Sequence, residues 1–244
     1  PVHLLEVAAL CDQVIPCLDC DTATLCDELS PYLGVESRTK WDPRIGGRTR
    51  AEQNRGPADG LAGRDLEAMA VQRFATLADI DASNPTIEER EEYEAIVAQG
   101  VVLYAGVDYT AILRAAEAEA DVVIWDGGNN DLPFFRPDLQ ITVTDALRPG
   151  DGLTHHPGEV NLRIADIVVV NKVDVAEADA ADRAEADAQS VNPDAVVVRT
   201  ASPAVLAPGP DLAGARVLVV EDGPTITHGG MPFGAGTTAA RAAG

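Results

Sequence analysis

The sequence predicts an α/β fold in which a mostly parallel β-sheet is flanked by helices on both faces, in three layers. From about residue 63 onward, short apolar runs alternate with helical segments, and this alternation is typical of parallel sheets. Polar or glycine residues follow nearly every apolar run, as expected where strands end at a ligand-binding edge. Residues 1–62 show no sustained period. We therefore expect an irregular N-terminal segment at 1–62 and an α/β domain at 63–244.

The predicted elements follow one another along the domain. Residues 64–80 have helical spacing. Thr86 and Glu89 form a capping box for the next helix, and Gly100 ends it. Asp108 caps an alanine-rich helix at 109–120, and a solvated helix spans 175–191. Strands are predicted at residues 101–106, 121–128, 139–146, 165–172, 194–202 and 215–223.

The charge balance is strongly acidic. Forty Asp and Glu against 18 Lys and Arg give a net charge of −22, and only Lys40 and Lys172 are lysines. Such a charge repels itself unless salt screens it, so we expect a protein from a high-salt cytoplasm, with an ordinary acidic protein as the alternative. Phosphate backbones would be repelled, which argues against nucleic-acid partners. No apolar run reaches the roughly 18 residues of a membrane helix. We therefore expect a soluble cytoplasmic protein.

All four cysteines, Cys11, Cys17, Cys20 and Cys26, lie in the N-terminal segment. Only Cys17 and Cys20 have the C-x-x-C spacing of a zinc knuckle, and a structural zinc site normally needs a second pair of ligands. Thiols without a metal are the favoured interpretation, and a metal site is the alternative.

The sequence Asn171-Lys172-Val173-Asp174 follows a buried strand, where it can read a purine base. The Asp174 carboxylate can accept hydrogen bonds from the N1–H and exocyclic amine of guanine, a donor pair that adenine lacks. Asn171 can bond the base or brace the loop, and the Lys172 stem can lie over the base plane. A plain surface turn is the alternative, since four-residue motifs match easily by chance.

A second short motif, Thr200-Ala201-Ser202, follows the next predicted strand. Its backbone N–H groups could contact the oxygen of a guanine base. The motif is weak alone but gains weight because it comes after the first one in the expected order.

Asp126 ends another apolar strand, where an acid could hold Mg²⁺. Gly127, Gly128 and Asn129 follow it, and the glycines would let the backbone approach a phosphate. A simple turn is the alternative, because Asp-Gly-Gly-Asn is good turn chemistry.

Other residues could bind an anionic substrate. Residues 221–236 are rich in glycine and include His228; they could cradle an anion through backbone N–H groups or form a flexible loop. The arginines that could pair with an anion in this acidic chain are Arg136, Arg148 and Arg163. Ordinary surface ion pairing is their alternative role.

Longer stretches resemble a known family. Residues 71–94, 100–139, 158–174 and 219–236, including D-G-G-N-N-D and T-H-G-G-M-P-F-G-A-G, are similar to the cyclic 2,3-diphosphoglycerate synthetase family of P-loop proteins. The resemblance implies an SRP/MinD-like P-loop NTPase domain that binds Mg²⁺ and ATP or GTP. The implied reaction is ATP-driven closure of 2,3-bisphosphoglycerate, a small anionic phosphorylated substrate, into a cyclic phosphoanhydride.

The resemblance also assigns roles to individual residues. It implies that Asp126 lies beside the metal. We take Asp126 as a candidate catalytic residue and Arg163, one of the scarce cations, as a second. Base reading falls to Asn171, Lys172 and Asp174. Contact with phosphate or substrate falls to the glycines of the loop, Gly229, Gly230, Gly234 and Gly236.

One family feature is absent from the sequence. Members carry a G-x-x-x-x-G-K-[ST] phosphate loop shortly before the region that begins near residue 63 here. An Arg- and Gly-rich stretch lies there instead, and Lys40 follows no glycine-rich run. We therefore expect an incomplete chain that is inactive or very slow. The alternatives are a non-hydrolysing guanine-nucleotide-binding module or GTPase-like regulatory protein, and a degenerate product. A homo-oligomer is compatible with each of these.

Overall fold

A computed structural model describes the backbone of residues 3–9 and 46–51, together with residues 69–127, 132–209, 211–221, 226 and 230–244. Within these residues the chain forms one eight-stranded sheet. Its strands are β1 (His3–Ala9), β2 (Gly46–Ala51), β3 (Gln72–Phe74), β4 (Val102–Gly106), β5 (Val122–Gly127), β6 (Leu139–Asp145), β7 (Ile167–Asn171) and β8 (Val196–Arg199).

The sheet is parallel except at one edge. The strand order is β3-β4-β2-β5-β1-β6-β7-β8, and only the β3–β4 pair is antiparallel. Strands β2 to β5 lie on one side of β1, and β6 to β8 lie on the other. The direction of strand addition therefore reverses at β1, which makes the carboxyl end of β1 the topological switch point of the sheet. The prediction of a mostly parallel α/β fold is confirmed.

Helices connect the strands in the described residues, and their boundaries follow the capping signals. The Thr86 hydroxyl accepts a hydrogen bond from the backbone N–H of Glu89 (3.2 Å), and the Glu89 carboxylate accepts one from the Thr86 N–H (2.6 Å). The helices are α1 (Leu77–Ser83), α2 (Ile87–Val97), α3 (Tyr109–Glu119), α4 (Asp151–Thr154), α5 (Gly158–Ile164), α6 (Ala180–Val191) and α7 (Ala235–Ala242). None of these helices is long and apolar enough to cross a membrane.

Both faces of the sheet are covered by apolar side chains, as alternation along β4 shows. Leu103 is fully buried in one cluster with residues of α1 and α2, whereas Tyr104 packs in another cluster with Ile112 and Ala116 of α3. Successive strand residues point to opposite faces, so these helices lie on opposite sides of the sheet. This arrangement gives the three layers that the sequence predicts.

The prediction of an irregular N-terminal segment needs correcting for residues 3–9 and 46–51. These stretches form β1 and β2, which lie inside the sheet and pair on both sides with parallel neighbours. Their sequences, HLLEVAA and GGRTRA, carry no clear period, so no local pattern indicates a strand. Pairing with neighbouring strands, and not local propensity, sets their conformation. Whether the rest of residues 1–62 is unrelated to the domain stays a prediction, and the four cysteines lie outside the described residues.

Two further element predictions are wrong. Residues 64–80 were expected to form one helix, but Gln72–Phe74 is a strand and α1 begins only at Leu77, where Thr76 forms its own capping box with Asp79. A strand was expected at 215–223, but residues 215–221 lie outside any strand, and Leu218 and Val220 are 89% and 83% exposed. An apolar run favours a strand only where a neighbouring strand offers an edge to pair with.

Candidate functional site

Polar side chains collect at the carboxyl ends of the central strands. Asp126 is the second-last residue of β5, and Asp145 and Asn171 are the last residues of β6 and β7. Asp145 and Asn171 are also register partners across the β6–β7 pair. Because ligands of such sheets bind beside the switch point at the carboxyl edge, this edge is the candidate site.

The structure brings together the two motifs that are predicted to read a base. Asn171 is buried, and its Oδ1 accepts a hydrogen bond from the Thr200 hydroxyl (2.9 Å). The backbone N–H of Val173 donates to the carbonyl oxygen of Thr200 (3.1 Å). These contacts tie the loop after β7 to the loop after β8, so Asn171 braces the site, which is one of the two roles that the sequence left open.

Asp174 and Ser202 form the exposed part of the same loop pair. The Ser202 N–H donates to Oδ1 of Asp174 (2.9 Å). Asp174 faces solvent, and no described residue donates a hydrogen bond to its Oδ2. The site therefore presents an exposed carboxylate held beside a backbone N–H, with Ala201 between the two hydrogen-bonding residues of the β8 loop. This arrangement suits the recognition of a flat, hydrogen-bonding ligand such as a base.

Lys172 points toward β6. Its Nζ lies 2.6 Å from Oδ2 of Asp145, a carboxylate that is only 7% exposed. The Asp145 Oδ1 accepts a second hydrogen bond from the backbone N–H of Leu147 (2.8 Å). We gave Asp145 no role from the sequence, although it ends a predicted strand at the same edge. Asp145 and Lys172 are 27 positions apart in the sequence, so no local sequence pattern indicates their contact.

Asp126 lies at the other side of the switch point. Asp126 and Ile167 share a level of the sheet through the register partners Val7 and Ile141. Three strand spacings separate β5 from β7, which is about 14 Å. Asn171 lies four residues further along β7 than Ile167, which is about 13 Å along the strand, perpendicular to the first distance. A ligand that reaches both Asp126 and the base-reading loops must therefore be extended, as a nucleoside triphosphate is.

The donor type at Asp126 fits Mg²⁺. Its side chain is a half-buried carboxylate followed by the buried Gly127, and Mg²⁺ is commonly held by one or two carboxylates together with phosphate oxygens and water. The described residues contain no group of three or more potential metal ligands. Gly128 and Asn129 lie outside the described residues.

The three predicted anion-binding arginines do not converge. Arg148 lies at this edge, where its Nε is 2.6 Å from Asp151 Oδ2 and its backbone N–H donates to the Asp145 carbonyl (3.0 Å). Arg136 is exposed and forms no ion pair with another described residue. Arg163 pairs with Glu159 (2.6 Å) in the last turn of α5.

Arg163 lies at the opposite edge of the sheet. Helix α5 ends at Ile164 and β7 begins at Ile167, so Arg163 lies beside the amino end of β7. Its guanidinium also donates to the carbonyl of Val191 at the end of α6 (3.4 Å). The structure therefore does not bring Arg163 to the loops after β7 and β8, and its predicted catalytic role stays a prediction.

The glycine-rich loop forms contacts with a carboxylate of the chain itself. Oε1 of Glu221 accepts hydrogen bonds from the backbone N–H groups of Gly234 (3.1 Å) and Thr237 (2.6 Å), at the start of α7. A hydrogen bond from the Thr237 side chain and those from the backbone lower the pKa of Glu221. A Cβ on Gly234 would collide with the Glu221 carboxylate, and one on Gly236 would approach Val219 to 3.0 Å.

The predicted phosphate or substrate contact of this loop remains a prediction. Gly230 has a positive φ of 72°, whereas His228 and Gly229 lie outside the described residues. The first-turn N–H groups of α7 that an anion could use are those that Glu221 occupies.

No lysine-bearing phosphate loop follows the switch-point strand in the sequence. Residues 10–45, between β1 and β2, contain only one glycine, Gly34, and one lysine, Lys40. The edge therefore carries groups suited to a base and a metal, and the residues after β1 lack the glycine-lysine pattern that cradles phosphates.

Comparison with known proteins supports a nucleotide-binding domain. Residues 113–199 match the family described as "CobW/HypB/UreG, nucleotide-binding domain". The chain is 55% identical over 177 residues to "Arginine synthetase ArcE" of Thermococcus kodakarensis, covering 72% of this chain and 40% of the relative. It is 28% identical over 90 residues to "Cyclic 2,3-diphosphoglycerate synthetase" of Thermococcus sibiricus, covering 37% and 21%. The chain thus spans less than half the length of either relative.

Two solved structures are similar to this chain at low sequence identity. The hydrogenase maturation factor HypB from Archaeoglobus fulgidus has a TM-score of 0.41 and 15% identity, over 81% of this chain and 80% of that one. The Zn(II)-bound YjiA GTPase from E. coli has a TM-score of 0.43 and 12% identity, over 81% and 57%. The parallel α/β sheet described above is compatible with the match of residues 113–199, so this part of the chain is similar to the nucleotide-binding domain of the CobW/HypB/UreG family.

Proposed function

We propose that this chain is the nucleotide-binding part of a synthetase and that it reads a purine base with the loops after β7 and β8. The observation that supports the proposal is the pairing of Asn171 with Thr200 and of Asp174 with Ser202 at the carboxyl edge. These contacts leave the Asp174 carboxylate exposed to solvent, where a ligand can reach it. Guanine offers that carboxylate two N–H donors, whereas adenine offers no such pair, so we propose GTP over ATP.

The phosphates of the bound nucleotide would lie toward β5. Asp126 would hold Mg²⁺ there, and the ion would neutralise phosphate charge. Gly127 and Gly128 would allow close approach of the backbone, with Asn129 beside them. Arg148 contributes positive charge at the same edge, although Asp151 already pairs with it.

The reaction we favour is nucleotide-dependent formation of arginine. The sequence identity is 55% over 177 residues to the relative named arginine synthetase, and 28% over 90 residues to the cyclic 2,3-diphosphoglycerate synthetase. The charges of the chain support the same choice. The net charge is −22, and two of the three candidate arginines are already paired with acids. Such a surface is better suited to a cationic product such as arginine than to a bisphosphorylated acid.

Cyclic 2,3-diphosphoglycerate synthesis remains the second candidate, supported by the weaker match and by the glycine-rich loop. Isothermal titration of the nucleotide-loaded chain with free arginine and with 2,3-bisphosphoglycerate separates the two candidates. Arginine should bind and the bisphosphate should not; the reverse result would reject the arginine proposal. A chain that binds GTP but neither small molecule would instead support a non-hydrolysing guanine-nucleotide-binding module.

The base-reading proposal is tested with Asp174→Asn. Hydrogen bonds to a charged group contribute about 1.5–3 kcal/mol, so GDP affinity should fall about tenfold or more, while ADP affinity should change little. Asp194→Asn is the matched control, because Asp194 is an exposed acid at the amino end of β8. An Asp174→Asn variant that keeps its ratio of GDP to ADP affinity would mean that the loop is an ordinary surface turn.

A further inference from the structure

The family resemblance supplies no role for the buried carboxylate of Asp145, which lies at the candidate site. The residue is 6% exposed. Its two carboxylate oxygens accept hydrogen bonds from Leu147 N–H (2.8 Å) and Lys172 Nζ (2.6 Å). Its own carbonyl accepts one from the Arg148 N–H (3.0 Å). Since each oxygen has a donor, the Asp145 side chain is fixed in position and orientation.

Lys172 has a backbone conformation that needs support. Its φ of 62° lies in the left-handed region, which residues other than glycine, asparagine and aspartate seldom adopt. Asn171, directly before it, is the register partner of Asp145 across β6–β7. The lysine stem must therefore run along the carboxyl edge, from the end of β7 to the buried carboxylate at the end of β6.

In this position the methylene groups of the Lys172 side chain form an apolar surface between two polar loops. A lysine whose ammonium is held at its tip leaves four methylene groups available for contact. Asp174, two residues further on, carries the carboxylate proposed to hold the edge of the base. A flat base bound by Asp174 could lie with one face on this stem. The ion pair would then decide whether the stem stays in place when no ligand is bound.

We infer that Asp145 is a positioning residue for base binding: it anchors the Lys172 ammonium and thereby holds the lysine stem as a preformed surface for a purine ring. The inference rests on the proposed function, that the loop at 171–174 reads a base. It adds a residue on a different strand, which acts through Lys172 without touching the nucleotide.

The test is a double-mutant cycle on nucleotide affinity with Asp145→Asn, Lys172→Met and the double variant. GDP and inorganic pyrophosphate are the two probes, because only GDP carries a base. Releasing the lysine side chain restores its rotamer freedom, so each single variant should bind GDP roughly tenfold to thirtyfold more weakly. Pyrophosphate affinity should change less than twofold. The double variant should be no weaker than either single one, since the two residues act as a unit.

The outcomes separate this inference from the proposed function. Additive losses in the double variant, or equal losses for GDP and pyrophosphate, would overturn the positioning role. If Asp174→Asn abolishes guanine preference while Asp145→Asn leaves GDP affinity unchanged, base reading stands and the positioning role is rejected. A wild-type chain that binds no nucleotide rejects both.

A second variant covers a failure of Asp145→Asn to fold. Lys172→Met keeps the stem and removes only the charge of a side chain that is 25% exposed. Anchoring predicts that Lys172→Met still loses GDP affinity tenfold or more. An unchanged affinity would mean that the stem needs no anchor. Asp81→Asn, which breaks an exposed ion pair with Arg90 on the helical layer, is the control and should bind GDP as the wild type does.

Discussion

Replacing Thr200 with valine exchanges a hydroxyl for a methyl group in the link between the loops after β7 and β8. Valine has nearly the same shape as threonine but cannot donate a hydrogen bond. In the wild type the Thr200 hydroxyl donates to Oδ1 of Asn171 at 2.9 Å, and Asn171 is 7% exposed. Thr200→Val therefore leaves a buried amide oxygen without this donor while it preserves the packing around it.

The size of the effect follows from the burial of that oxygen. A buried acceptor that loses its partner costs about 1–3 kcal/mol, and we expect the lower half of that range because Thr200 itself is only half-buried. Urea denaturation followed by circular dichroism measures the free energy of unfolding. For a chain of this length, each kcal/mol corresponds to a fall in Tm of about 2–4 °C. GDP affinity should fall in the same variant, since the loop after β8 loses its link to β7.

Thr154→Val is the matched control. The Thr154 hydroxyl donates to the Gly150 carbonyl at 3.0 Å in an exposed position, so its loss should cost less than about 0.5 kcal/mol. If Thr200→Val is as stable as this control and binds GDP normally, the contact between Asn171 and Thr200 does not hold the two loops together, and the description of the site is wrong.

Two further predictions concern the fold that carries the site. A bidentate ion pair with Arg73 lowers the pKa of Glu119, so the stabilisation is present above the ordinary glutamate pKa of about 4.3 and is lost as the pH falls through the lower folded-state value. Thermal unfolding of Glu119→Gln should therefore depend less on pH in the acid range than that of the wild type, and parallel curves would contradict this. Gly106→Ala should destabilise by about 1–3 kcal/mol, because its Cβ would lie 2.6 Å from the Ala70 carbonyl oxygen. Gly100 also has a positive φ, of 80°, but open space around it, so Gly100→Ala should bring backbone strain without the clash and cost less in the same urea assay; equal losses would contradict the steric argument.

Local patterns in the sequence predict much of the α/β domain. The helix that begins after Thr86 depends on contacts within three residues of its cap, and such contacts are visible in the sequence. The apolar runs that become β5, β6 and β7 are buried in the sheet, so their composition alone identifies them.

Elements that depend on distant neighbours are harder to predict. Residues 46–51, GGRTRA, form a strand only because β4 and β5 lie on either side. Conversely, the run of apolar residues at 217–220 has strand-like composition and yet joins no ladder in the described part of the chain. Strand propensity is a local property, whereas strand pairing is decided by the rest of the fold.

The same distinction between local patterns and distant contacts applies to the candidate site. Asn171, Asp174 and Ser202 are recognisable because each follows a predicted strand, and parallel strands deliver their carboxyl ends to one edge. The ion pair between Asp145 and Lys172 could not be foreseen, since it depends on the adjacency of β6 and β7 and on the left-handed backbone at Lys172. Arg163 shows that closeness in sequence does not give closeness in space: it precedes the motif at 171–174 but lies beside the amino end of β7.

The proposed function requires that a nucleotide binds at the carboxyl edge between β5 and β8. The most direct test is a ¹H–¹⁵N correlation spectrum of the chain titrated with GDP and Mg²⁺. We predict that the amide signals of residues 171–174 and 200–202 shift together with those of Asp126 and Gly127, and that the signal of Arg163 does not move. Shifts confined to the amino edge of the sheet, or none at saturating GDP, would contradict the account.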